Sequence, residues 1–277
     1  MTVENKFLTV IKYIVLCISA IFALAPVVYI ISGSFMGQRE VAEAISRNSF
    51  HFIPNSFTLI QYYEVFLRKP DFLLKFLNSL ILTIPIILGQ IVVSVLGAYA
   101  FAKIEFPFKN QFFFGFVLLM IMPYQVTLVP TYILMKKLNL IGTYTSVIFP
   151  NIFSTFGVFL LTQFMKSIPE DQCQSAKIDG ASHLKVLLKI IIPQCKSSIA
   201  SLGILCFIDN WNMIEQPLIL LNDNQQPLST YLPTICNNPN SVCLAFACAV
   251  IFILPAVFIF IKGEKLLLEG IQHLDSK

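Results

Sequence analysis

Apolar residues along this chain gather into six long runs separated by polar segments, at about 9–32, 73–102, 111–135, 144–165, 197–221 and 242–262. Each run reaches the roughly 20 residues that a helix, rising about 1.5 Å per residue, needs to cross a hydrocarbon core about 30 Å thick. None shows the alternation of a strand, and all are too long for the roughly ten-residue strands of a membrane barrel. Helices are also what an apolar solvent demands, because each backbone N–H and C=O must be satisfied within its own segment. The expected fold class is therefore all-α: a polytopic membrane protein with six transmembrane helices, read as one domain over residues 1–277. The first run is longer than a signal-peptide core and is not followed by a small-residue cleavage site, so it is expected to be retained.

Composition agrees with lipid as the solvent. Of 277 residues, 56% are hydrophobic and only 12% charged, against about 25% charged in soluble chains. Six spans put both termini on one side. If that side is the cytoplasm, the inner segments hold 12 of the 19 Lys and Arg and the outer ones 7, which favours cytoplasmic termini. A net charge of +4 is ordinary for such a protein and gives no reason to expect nucleic acid as a partner. The seven cysteines, at 17, 173, 195, 206, 236, 243 and 248, form no C-x₂-C pair and read mainly as small apolar fillers. Cys236 and Cys243 both fall near the outer face and are left open as a bridge.

The external segment 33–72 is too long for a tight turn. Within it, Leu59–Phe66 keeps apolar residues at helical spacing and reads as a short amphipathic helix at the interface, either a cap or a binding element.

Residues 166–196 are the least membrane-like part of the chain and read as two helices with a turn. Pro169, Glu170 and Asp171 suit the first turn of a helix running to Lys177, because the positive end of its dipole favours carboxylates. Asp179-Gly180 breaks it, glycine entering the left-handed region at little cost. A second, amphipathic helix is expected from Ala181 to about Ile192, ending at Pro193. By composition alone, such an element packs equally well on lipid headgroups or on a soluble partner.

The run Gln174-Ser175-Ala176-Lys177-Ile178-Asp179-Gly180-Ala181, continuing to Ile190-Ile191-Ile192-Pro193, resembles the cytoplasmic signature of ABC importer permeases. That signature reads E-A-A, two residues, D-G-A, then about nine residues to I-x-L-P. Further matches follow in order along most of the chain: Phe76-Leu77-Asn78-Ser79-Leu80, Met122-Pro123-Tyr124-Gln125, Ile168-Pro169-Glu170, Trp211-Asn212, and Leu268-Glu269-Gly270. They are most similar to the permeases of maltose-type carbohydrate importers.

The resemblance implies the type I permease fold in the cell membrane and carbohydrate import by alternating access. It makes the loop a coupling element, with Gln174, Ser175, Ala176, Asp179, Gly180, Ala181 and Pro193 docking on an ATPase. It also implies a second permease, two ATP-binding subunits holding ATP and Mg, and an extracytoplasmic binding protein. Gln174 and Ser175 depart from the pattern: a charged contact becomes a neutral hydrogen bond, about half as strong.

Polar residues within spanning helices face a partner helix, the protein interior or a water-filled path. Asn78, Asn151, Asp209, Trp211, Asn212 and Glu215 are the candidates for a translocation path. In one reading their polar groups bind sugar hydroxyls and Trp211 stacks on a sugar face. In the other, Asp209 and Glu215 pair structurally. The chain has no G-x₄-G-K-[ST] phosphate loop, and His51, His183 and His273 stand on separate segments, so neither an enzyme site, a metal nor a cofactor is expected in it. The alternatives are an ion-coupled secondary transporter, with Asp209 and Glu215 as the ion site, and an importer permease for a solute other than sugar.

Overall fold

The computed structural model describes residues 3–46, 49, 52–68, 70–236 and 241–275, and no strand occurs among them. The helices begin with α1 (Val3–Ser34), α2 (Gln38–Ser46), α3 (Ile60–Tyr63, continued by a wide π-turn to Arg68) and α4 (Pro70–Lys103). Next come α5 (Lys109–Ile121), α6 (Tyr124–Lys137), α7 (Tyr144–Asn151), α8 (Thr155–Ser167) and α9 (Glu170–Ile178). After these, α10 (His183–Val186) and α11 (Ile192–Gln194) flank a π-turn at Leu187–Ile191, and α12 spans Lys196–Trp211. Last are α13 (Glu215–Leu220), α14 (Leu228–Cys236) and α15 (Val242–Asp275).

Among the described residues four stretches are long and apolar enough to cross a membrane: Thr9–Gly33, Asp71–Lys103, Tyr144–Ser167 and Val242–Leu266. The count reaches six only if each of two bent pairs, Lys109–Ile121 with Tyr124–Lys137 and His183–Gln194 with Lys196–Trp211, is one span. The expected straight helix over 111–135 is therefore corrected: α5 and α6 meet at 100°. Pro123 sits at the corner with φ −58° and ψ 136°, extended rather than helical, and it has no N–H to continue the ladder. The expected run 197–221 likewise breaks, α12 ending at Trp211 and α13 restarting at Glu215.

The chain divides into two compact units. The first comprises residues 1–74 and 231–254. Its small core joins Met36 and Val41 to Cys243, with Phe246 packed alongside. Gly33 lies so close to the Phe246 ring that an added Cβ would come within 2.5 Å of it. Ser34 Oγ shares a 2.8 Å hydrogen bond with Tyr62, and Phe35 stacks on Phe57. The helix expected at Leu59–Phe66 is α3 with its π-turn, which buries Gln61 and Val65. Along α1 large apolar side chains are bare, Phe22 being 85% exposed. A bare apolar face of this length fits lipid or another apolar helix rather than water.

The second unit, residues 75–230 and 255–277, has two cores. One joins Leu82 and Ile86 of α4 to Met135, Val147 and Leu220. The other joins Val95, Ala98 and Tyr99 of α4 to Leu161 and Met165 of α8, Leu202 and Cys206 of α12, and the buried side of the 166–196 loop. Small residues set the spacing here: a Cβ on Gly157 would collide with Ser94 Oγ, so α4 and α8 touch nearly backbone to backbone.

Cys243 is a free, buried thiol. The side chain of Cys236, the residue His51, and the side chains of His273 and Leu268-Glu269-Gly270 lie outside the described residues.

Candidate functional site

Two features of the second unit bear on function, an exposed helical turn and a polar cavity. The turn lies in the 166–196 loop. Helix α9 opens with Glu170 and Asp171 in its first turn. It closes on Gly180, whose φ is +79°. Gly180 N donates to Lys177 O at 3.0 Å and Ala181 N to Ala176 O at 2.9 Å, the paired 5→2 and 6→1 bonds of a Schellman motif. These bonds satisfy carbonyls that the helix end would otherwise leave open.

The second helix differs from expectation at both ends. It begins at His183, because Ser182 is the cap residue, its Oγ accepting from Lys185 N at 3.4 Å. Nor does Pro193 end it, since the chain stays helical through Gln194. The proline ring cannot tolerate a normal turn over the carbonyl four residues earlier, and the π-turn at Leu187–Ile191 widens the helix just there.

Cys173, Val186, Leu187 and Ile191 are buried in the core shared with α4, α8 and α12, and Ala176 and Ala181 pack partly against it. Polar ties reinforce this footing: Tyr99 OH meets His183 Nδ1 at 3.2 Å, and Lys103 Nζ donates to Ile168 O at 2.6 Å. Gln194 Nε2 donates to Gln172 Oε1 at 2.8 Å, joining the two helices of the loop. Gln174, Ser175, Asp179, Gly180 and Pro193 are exposed. So are Leu184, Leu188 and above all Ile178, 86% bare at the turn. The result is a firm knob with an apolar tip.

The cavity forms where three helices are interrupted: before α6 at Pro123, after α7 at Asn151 and after α12 at Trp211. Broken helices at membrane depth leave backbone groups to be satisfied by side chains, and they are tolerated where they line protein or water. Amide side chains do that here. Gln90 Nε2 donates to Asn151 O at 2.8 Å, and Asn212 Nδ2 to Ile208 O at 2.7 Å. Asn210 Nδ2 bridges Cys206 O at 2.7 Å and Gln90 Oε1 at 3.3 Å. Asn151 and Gln216 exchange hydrogen bonds through both amides.

The space they frame is about 570 Å³. Asp209 and Glu215 line it, with the amides of Gln125, Asn151 and Asn212. Ile208, Met213 and Ile214 supply apolar wall. The Tyr124 hydroxyl is buried beside Gln216 with no partner at good geometry. Gln125 Nε2 donates to Glu215 Oε1 at 3.3 Å. Among the described residues neither carboxylate has an ion-pair partner, and no lining residue is Lys, Arg or His.

Of the residues expected to line a path, Asn151, Asp209, Asn212 and Glu215 meet in this cavity, whereas Trp211 and Asn78 do not. Asp209 and Asn212, three apart, share one face of α12, and Trp211 points away at about 100° per residue. It is 1% exposed, stacked on Phe207 at 5.3 Å with Phe76 edge-on at 5.6 Å, so its face is closed to a sugar. Asn78 is a staple: Nδ2 donates to Asn224 O at 2.8 Å and Gln226 O at 3.0 Å, while Oδ1 accepts from Tyr144 OH at 2.8 Å. Tyr124 and Gln125 were not among the expected lining residues. Their signal was Pro123, which turns α6 so that its first residues face the break in α12.

Comparison with known proteins places these features in context. The family described as "Binding-protein-dependent transport system inner membrane component" matches residues 57–262. The arabinooligosaccharides transport system permease protein AraQ of Halalkalibacterium halodurans is 29% identical over 259 residues, 91% of this chain and 90% of that protein. The sn-glycerol-3-phosphate transport system permease protein UgpE of Pectobacterium atrosepticum is 33% identical over 150 residues, 54% of this chain and 53% of its own length. Among solved structures, a bacterial ABC transporter involved in the import of the acidic polysaccharide alginate holds a chain of the same fold, with TM-score 0.83 and 23% identity. That match covers 96% of this chain and 98% of the other.

Proposed function

Since the chain belongs to the family of binding-protein-dependent transport system inner membrane components, we propose that it is one permease subunit of an ABC importer that brings a carbohydrate into the cell by alternating access. It is a multi-pass membrane protein. The relatives named above support the carbohydrate reading, two of the three being transporters of saccharides.

One observation carries the mechanism: α12 is continuous between the two features. Leu202 and Cys206, in its body, are buried in the core on which the knob stands, and Ile208, Asp209, Asn210 and Asn212, at its end, line the cavity. A helix of 16 residues is about 24 Å long and moves nearly as a rod. A push on the knob is therefore delivered to the cavity wall without any chemistry in this chain.

In this reading the knob docks into an ATP-binding subunit through Gln174, Ser175 and the Asp179-Gly180 turn, with Ile178 and Leu184 as the apolar contact. Closure of two such subunits on ATP and Mg drives the switch between inward- and outward-facing states. A second, related permease completes the path, and an extracytoplasmic binding protein delivers the solute; an alginate transporter that shares this fold, at TM-score 0.65 and 16% identity, is in complex with a periplasmic protein that holds an alginate pentasaccharide. The termini and the knob then lie in the cytoplasm, as the Lys and Arg distribution favours.

The test is co-purification from the native membrane in mild detergent. The tagged chain is expected to bring down an ATP-binding protein and a second permease. A variant with Ile178→Asp and Leu184→Asp, both on the exposed tip, is expected to keep the permease and lose the ATPase. Recovery of the ATPase at wild-type level with that variant contradicts the docking assignment.

A further inference from the structure

We propose that the cavity at the α12 break selects an uncharged, hydroxyl-rich solute and excludes anions, so that the cargo is a neutral saccharide. The inference rests on the importer reading above and narrows it.

Two observations converge on the same sign of charge. Asp209 and Glu215 both line the space without an ion-pair partner among the described residues, and no cationic side chain lines it. Helix dipoles leave this balance as it is, since the C-terminal end of α12 and the N-terminal end of α6 both border the cavity. What remains is suited to hydroxyl groups. The amides of Gln125 and Asn212 offer donors and acceptors side by side, carboxylates accept strongly from sugar hydroxyls, and the buried Tyr124 hydroxyl has no well-aligned partner of its own. Met213 and Ile214 supply the apolar surface that a sugar ring's C–H face needs.

An anion would find none of the cationic side chains that anion sites provide. Phosphates and carboxylates are held by Arg or Lys forks and by helix N-termini. Here two carboxylates line the space and no Lys or Arg does. The homologous permeases serve both kinds of solute, acidic for the alginate transporter and the glycerol-3-phosphate permease, uncharged for the arabinooligosaccharide permease. The lining of this chain sides with the uncharged group.

The test reads the potential in the cavity directly. In the complete importer in proteoliposomes, Asn212→Cys is reacted with a cationic (trimethylammonium-ethyl) and an anionic (sulfonato-ethyl) methanethiosulfonate, the parent's rates being subtracted. Gln125→Cys, on α6, provides a second reporter if the first does not assemble. Relative to a free thiol in solution, the cationic reagent is expected to be favoured at least about tenfold by two nearby carboxylates in a wet, salt-screened cavity. Adding Asp209→Asn and Glu215→Gln should return the ratio to within about twofold of the free thiol. A ratio equal to the free thiol's in the presence of both carboxylates overturns the proposal.

Uptake of arabinotriose against trigalacturonate, in cells carrying the importer, separates this inference from the one beneath it. ATP-dependent entry of the acidic trisaccharide at a rate equal to or above the neutral one leaves the importer standing and sinks the selectivity. ATP-independent entry of either sinks the importer reading, whatever the thiol ratio.

Discussion

Replacing Gly180 tests the knob in a way that distinguishes backbone conformation from space. Its φ of +79° is a left-handed value, and a Cβ built on it meets nothing within 4 Å. In this chain the cost of a side chain is thus conformational and not steric, about 1–2 kcal/mol for alanine. Asparagine, which reaches the left-handed region more readily, should cost less, and β-branched valine more. The loop is held at its base by Cys173, Val186, Leu187 and Ile191, so these variants should remain folded. The exposed turn relaxes when nothing holds it, and docking must restore it, so the strain appears as lost affinity for the ATPase. One to two kcal/mol is roughly five- to thirtyfold. The assay is the dissociation constant of the purified permease pair for its ATP-binding subunit, with Gly, Asn, Ala and Val at position 180. The expected order of affinity is Gly, Asn, Ala, Val. Equal, complete loss with Asn and Val would refute the reasoning, because glycine would then be required for the partner's close approach. Wild-type affinity with Ala would refute it as well.

Two further outcomes separate structural from path residues. Trp211→Ala, which empties a site buried between Phe207 and Phe76, should cost about 3–5 kcal/mol and show as a large fall in the melting temperature of the solubilised protein. Trp211→Phe should keep most of that stability and all of the solute preference. Asn78→Ala removes two donated bonds and one accepted bond, leaves the carbonyl of buried Gln226 without this donor, and should destabilise by about 1–3 kcal/mol while the ranking of solutes by uptake rate stays as in the wild type.

The turn at Asp179-Gly180 was legible in the sequence because a Schellman cap is local chemistry: the glycine and the helix before it lie within a few residues, although the Ser182 cap that delays the second helix was not legible. The apolar runs were legible as lengths. Their bends were not, because proline alone does not decide them. Pro26, Pro85 and Pro255 sit inside the long helices α1, α4 and α15 without breaking them, yet the chain turns 100° at Pro123. Neighbouring helices can re-satisfy the carbonyl that a proline orphans, and whether they do is a tertiary fact. The same holds for the cavity. Asp209 and Asn212 could be placed on one face from their spacing, but the contacts of Gln90 with Asn151 and of Asn151 with Gln216 span more than 60 positions in the chain. The burial of Trp211 was hidden for a related reason: an aromatic beside polar residues has the same composition whether it faces a path or closes a core.

The central claim is that this chain opens and closes a path with energy received through the 166–196 knob. The most direct measurement is uptake of a radiolabelled neutral oligosaccharide into proteoliposomes holding the chain with its second permease, its ATP-binding subunits and its binding protein. The account predicts uptake that requires both ATP and the binding protein and that Gly180→Val sharply reduces without loss of the chain from the membrane. Uptake by this chain alone, driven by a proton or sodium gradient and indifferent to ATP, would contradict it.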